Sequence, residues 1–131
     1  MATNSMFDVI HITNAAAPFC QGQNDYSCLQ EMAGKFGVYV FQSKSTNDVL
    51  YVGEAHKQDL KTRIKQHYTE NDTGGTFRKN FCETEGKSFE EFKALLTDSN
   101  IKAISIETKS KILIIGIEAI LISALNPKYN K

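Results

Sequence analysis

From residue 36 onward, apolar positions either alternate with polar ones or recur at helical spacing. Residues 36–42 are rich in β-branched and aromatic side chains, 43–48 are polar, and apolar character resumes over 49–53, which predicts a hairpin. Over 58–68 the apolar positions Leu60, Ile64 and Tyr68 fall four apart, the spacing of one helix face. A Gly-Gly loop over 73–76 leads into a short helical turn at 77–82. Ser88, followed three residues later by Glu91, opens a helix whose apolar face holds Phe89, Phe92, Leu95 and Leu96. Residues 101–107 alternate as a third strand, with Ile104 and Ile106 among the apolar positions. Residues 110–125 read as a long, buried, apolar helix stopped by Pro127. Upstream the pattern is weaker: a short strand at 7–12, a loop through Pro18 and Gly22, and a short helix over 26–33 ended by Gly34. The order strand, strand, helix, helix, strand, helix predicts an α/β (α+β) fold, a small three-stranded, mainly antiparallel sheet flanked by helices.

A length of 131 residues, 41% of them hydrophobic, fits one domain with one core and argues against a disordered chain. Fifteen basic residues against fifteen acidic give no global charge for holding a polyanion. The charge is uneven, however. Residues 57–79 carry six basic groups against three acidic, 99–131 five against two, and 83–98 two against five. A basic face can therefore coexist with an acidic one, or these stretches are simply solvated. Cys20, Cys28 and Cys82 form no CxxC pair and have no His at ligand spacing, which favours reduced thiols in a cytoplasmic protein over a zinc site. The polar start lacks the apolar segment of a signal peptide. The longest apolar run, 112–125, is too short to span a bilayer and contains Glu118, so no membrane association is expected.

Three groups stand out chemically. Glu118 is the only charged residue in 112–125, so its carboxylate either pairs with a buried Arg or Lys or holds a metal ion. Arg63 and His67 lie four apart on the side of the helix that carries Ile64, while Lys61 and Lys65 point outward. A packing-only alternative has Arg63 reaching out from the flank and His67 satisfied in the core. Tyr39 and Tyr51 sit in the two hairpin strands. They share a sheet face if the connecting loop is odd in length and lie on opposite faces if it is even. Together these residues supply a cation, an imidazole, a carboxylate and phenols, all groups with roles in phosphodiester hydrolysis.

The same residues, in this order, resemble the motif of the GIY-YIG nuclease family: Gly37-Val38-Tyr39, Tyr51-Val52-Gly53, Arg63 and His67 on the next helix, Glu118 on the late helix and Asn130 near the end. Valine replaces isoleucine in both tripeptides. The resemblance covers 36–131 as a nuclease-like domain and leaves 1–35 as an N-terminal extension of unclear role. It implies a metal-dependent endonuclease with catalytic residues Tyr39, Tyr51, Arg63, His67, Glu118 and Asn130. One divalent ion, Mg²⁺ or Mn²⁺, would be held by Glu118 and completed by water and a phosphate oxygen. Arg63 would pair with the scissile phosphate, Tyr39 would activate the attacking water with help from Tyr51, His67 would position or relay a proton, and Asn130 would fix geometry. Lys61, Lys65, Thr76, Arg78 and Lys79 are the candidates for contacting DNA.

The sequence leaves two other functions open: a catalytically silent nucleic-acid-binding or interaction module on the same fold, and a nuclease acting on RNA or single strands. With no appended DNA-binding module visible, target preference is expected from 1–35, from the loop at 73–79, from a homodimer or from a specificity-giving partner protein.

Overall fold

The structure, a computed structural model, describes residues 10–15, 27–69, 75–107 and 110–130. The expected loop through Pro18 and Gly22, and residues 73 and 74 of the Gly-Gly loop, lie outside them. In chain order the elements are β1 (Ile10–Ala15), a 3-10 helix α1 (Ser27–Met32), β2 (Gly37–Ser43), β3 (Val49–Ala55), α2 (Leu60–Gln66), α3 (Thr76–Glu85), α4 (Phe89–Thr97), β4 (Ser99–Ile106) and α5 (Lys111–Leu125).

The sheet is antiparallel, in the order β1-β4-β2-β3. The three expected strands form its β4-β2-β3 part. The weak strand upstream joins as a fourth, displaced to Ile10–Ala15, where it pairs along Ile101 to Ile106 of β4. Gly37 is needed where β2 meets β4. A side chain there would put its Cβ 1.9 Å from the Ile104 carbonyl oxygen, so only glycine admits that approach.

Strand alternation divides the core in two. Tyr39, Phe41, Tyr51, Ala55, Ile101 and Ala103 face α1–α4, meeting Leu60 and Ile64 of α2, Phe77 and Phe81 of α3, and Phe92 and Leu96 of α4. Val38, Val40, Val52 and Ile106 face α5 through Ile114, Leu113, Ile117 and Leu121. The hairpin loop holds five residues between β2 and β3, an odd number, and Tyr51 stands opposite Phe41 while Gly53 stands opposite Tyr39. Both tyrosines therefore share the α1–α4 face. A bulge between Phe41 and Gln42 shifts the register, which lets the consecutive Leu50 and Tyr51 both enter the same cluster.

Side-chain caps place the helices. Asp59 accepts from the Thr62 backbone N–H at the start of α2 and from the Gly34 N–H, tying α2 to the turn that precedes β2. Ser88 and Ser110 cap α4 and α5 by accepting from Glu91 and Leu113. α5 ends at Asn126 in the left-handed conformation, ahead of Pro127. α3 is a full helix of ten residues where the sequence suggested one turn.

The expectation that α5 is a buried helix is not met. Ile114 is its one fully buried residue, and Ile112, Ile115, Ile120 and Leu125 are exposed. The reason lies in the layering: a helix apolar on every side that covers one sheet face buries only the stripe against that face. Among the described residues no helix is long and apolar enough to cross a membrane.

Candidate active site

The site begins with the two tyrosines. Tyr39 is fully buried, and its hydroxyl lies 2.6 Å from His67 Nε2. His67 ends α2 in helical geometry, one turn beyond Arg63, so the two side chains share a helix face as expected. Tyr39, Phe41, Tyr51 and Phe77 surround the imidazole, with ring centroids 5.4 to 5.9 Å from it. Gly53 makes this arrangement possible. A Cβ there would fall 2.3 Å from the Tyr39 hydroxyl, so the glycine of Tyr51-Val52-Gly53 vacates the space the Tyr39 ring occupies.

Burial sets the protonation states. It lowers the His67 pKa from 6.5 to about 3, with Arg63 and Arg78 adding to the effect, so the imidazole is neutral. Burial also pushes Tyr39 well above 10, with Arg63 opposing. A neutral phenol and a neutral imidazole therefore share this hydrogen bond. Tyr51 keeps 7% of its surface exposed and stacks on Phe77 at 4.9 Å. Its pKa too is raised by burial, against the opposing pull of Arg63.

Arg63 is half-buried and donates to Gln66 Oε1 at 3.2 Å. Gln66 is itself locked in a reciprocal amide pair with Gln58, at 2.8 and 3.0 Å, which braces the guanidinium. Its charge acts on Tyr39, Tyr51, His67 and Glu118 alike. Glu118 reaches this region from the opposite face of the sheet. It is half-buried on α5 and has no ion pair among the described residues. Burial raises its pKa first and the neighbouring Glu54 carboxylate second, while Arg63 and His56 oppose them. Such a carboxylate, crowded by a like charge, suits a cation. No three carboxylate, imidazole or thiol groups converge among the described residues.

Asn130 fastens the chain end to the sheet edge. Its amide accepts from the Val52 N–H and donates to the Val52 carbonyl, both at 2.8 Å. Lys128 and Tyr129 extend the pairing to Val49 and Leu50, and Asn80 donates to the Tyr129 carbonyl. Asn130 thus holds β3 between Tyr51 and Gly53 and is turned to backbone.

The basic candidates are dispersed. Lys61 donates to Gln30 of α1, Lys65 and Lys79 are exposed, and Thr76 begins α3 close enough to Tyr51 to act on its phenol. Arg78 donates to the Thr69 carbonyl and lies 5.3 Å over the Phe89 ring.

The architecture and the ordered motif can be set beside known proteins. A family model described as the GIY-YIG catalytic domain matches residues 35–130. The chain belongs to the GIY-YIG family. GIY-YIG is a family of nucleases, and the matched span contains all six motif residues named above. No curated protein and no solved structure matches the chain. Relative to this GIY-YIG frame, the sequence reading passed over Glu54 and His56, which follow directly on Tyr51-Val52-Gly53. The available signal was the strand period, which puts Glu54 on the same side as Val52.

Proposed function

We propose that this GIY-YIG protein is a metal-dependent endonuclease that hydrolyses phosphodiester bonds in DNA, with one divalent ion, Mg²⁺ or Mn²⁺, held at Glu118. The observation that carries the reading is that Arg63, from one side of the sheet, and Glu118, from the other, act on each other and on the tyrosine pair Tyr39 and Tyr51 of the β2–β3 hairpin. When bound, the ion supplies positive charge to the phosphate oxygens and to the leaving 3′-oxygen.

The protein's own groups do the rest. The Arg63 fork, braced by Gln66, pairs with the scissile phosphate. Once bound substrate opens access to the buried phenol, Tyr39 takes a proton from the attacking water as its own phenolic proton passes to His67 Nε2, 2.6 Å away. The water oxygen bonds to phosphorus and the bond to the 3′-oxygen breaks, the departing oxygen taking its proton from solvent. An acceptor with a pKa of about 3 is weak, but part of that depression comes from the Arg63 and Arg78 charges. A bound phosphate offsets those charges, so His67 becomes more basic when substrate is present. Tyr51, the more exposed phenol, orients the water, and Asn130 holds β3 in register for both tyrosines.

We take residues 36–131 as the catalytic unit, Lys61, Lys65, Thr76, Arg78 and Lys79 as its contacts to nucleic acid, and the cytoplasm as its compartment. A second copy or a partner protein would add target preference. Product ends test the reaction. Incubating end-labelled duplex with Mg²⁺ should give 5′-phosphate and 3′-hydroxyl termini, and EDTA should stop it. Termini of the reverse polarity would refute the attack assigned here.

A further inference from the structure

The C-terminal end of β3 carries a pair of groups that the motif does not use. Val52 packs against Ile114, Ile117 and Leu121 of α5, and strand alternation puts Glu54 on that same face. Glu118 lies one turn beyond Ile114 on α5. After α5 the chain returns so that Lys128 and Tyr129 bond to Val49 and Leu50 at the start of β3, so the helix runs antiparallel to the strand. Moving back along α5 from that point brings Glu118 toward Glu54.

Glu54 does not hang freely there. His56 Nδ1 donates to Glu54 Oε2 at 2.6 Å, and both side chains are largely buried, with 16% of His56 and 23% of Glu54 exposed. His56 Nε2 is buried with no hydrogen-bond partner among the described residues. Both residues line a cleft of about 170 Å³ whose wall also includes Arg63, the side chain assigned to the phosphate. A second carboxylate held half-buried on the face that carries Glu118 costs free energy unless a cation is there to offset it.

We propose that Glu54, oriented by His56, is a positioning residue for the divalent ion held at Glu118, acting on the water around the ion. This rests on the metal reading of Glu118 above. With one carboxylate oxygen engaged by His56, Glu54 is assigned to the ion's water, leaving direct ligation to Glu118. A hydrogen-bonded carboxylate–histidine pair beside a metal site fixes the orientation of the groups around the ion, and losing such support weakens metal binding by about 10–100-fold.

The test is Mn²⁺ binding by the full chain without DNA, followed by calorimetry and by the paramagnetic signal of free Mn²⁺. The variants are Glu54→Gln, Glu54→Asp, His56→Gln and Glu118→Gln, and each is also melted without metal. Glu54→Gln should raise the Kd for Mn²⁺ by about 10–100-fold. His56→Gln should weaken binding in the same direction, Glu54→Asp should recover part of the loss, and the metal-free melting temperature of Glu54→Gln should not fall below the parent's. Parent-like binding in Glu54→Gln alongside lost binding in Glu118→Gln would overturn this inference and leave the function intact. Parent-like binding in every variant would overturn the metal reading and this inference with it. If Glu54→Gln does not fold, parent-like binding by folded His56→Gln overturns the inference equally.

Discussion

His67 makes stability depend on pH in a way that can be isolated by one substitution. Its pKa is 6.5 when the chain is unfolded and about 3 in the buried site. Between those values the unfolded state binds a proton that the folded state does not. The folded state is therefore fully favoured above pH 6.5 and loses stability as pH falls toward 3, at about 1.4 kcal/mol per unit. Integrated from pH 7.5 to pH 5, the loss assigned to this one group is about 2 kcal/mol. The perturbation is His67→Phe, which keeps a ring among Tyr39, Phe41, Tyr51 and Phe77 and removes the titration. It also strips the Tyr39 hydroxyl of its hydrogen-bond partner, which costs about 1–3 kcal/mol at pH 7.5. The double variant Tyr39→Phe with His67→Phe removes that orphan. Urea unfolding followed by far-ultraviolet circular dichroism at pH 7.5, 6 and 5 gives the comparison. The gap between parent and His67→Phe should narrow by about 2 kcal/mol on going to pH 5. Contributions from other groups, such as Glu118 with its raised pKa, are common to both proteins and cancel. A gap that stays constant from pH 7.5 to 5 would refute the neutral, buried imidazole on which the proton relay depends.

Other substitutions probe the remaining parts. Gly53→Ala drives a methyl into the Tyr39 ring, so it should cost about 1–3 kcal/mol in unfolding assays and lower single-turnover cleavage by roughly 100-fold; parent-like cleavage would show that the Tyr39 position is unimportant. Arg63→Lys keeps the charge but loses the braced fork, and cleavage should fall by about 100-fold or more with the fold unchanged in circular dichroism. Asn130→Ala deletes both bonds to Val52 and should lower stability by about 1–2 kcal/mol, with faster hydrogen exchange along β3 as the specific readout. Replacing Lys65 and Lys79 together should weaken DNA binding and flatten its salt dependence by up to about two phosphate contacts; an unchanged slope would assign both to solvent.

Much of this was legible in the chain because the elements carry local markers. β-Branched and aromatic side chains in 36–42 and alternation in 101–107 marked strands, Ser88 with Glu91 marked a helix start, and the i, i+4 spacing of Arg63 and His67 set them on one face. Features that depend on long-range contact were not legible. The Tyr39–His67 bond joins residues 28 apart, and the depth of Tyr39 follows from four helices closing over one sheet face. The bulge beside Leu50 leaves no mark in the hydrophobic pattern, so the shared face of Tyr39 and Tyr51 hinged on a loop length that sequence did not define. α5 illustrates a limit of periodicity: in a helix apolar all round, nothing in the pattern says which side is covered. Glu54 and His56 went unnoticed because the cleft they share with Arg63 appears only when β3 is set against α2.

The most direct test of the central claim is cleavage of supercoiled plasmid and labelled single-stranded DNA with Mg²⁺, Mn²⁺ or EDTA, comparing the parent with Glu118→Ala. The account predicts metal-dependent cutting by the parent and none by Glu118→Ala, with the variant still folded and still binding DNA. Cutting by the variant at the parent's rate would contradict the role given to Glu118. DNA binding without cutting by the parent under every condition would make this GIY-YIG domain a binding module.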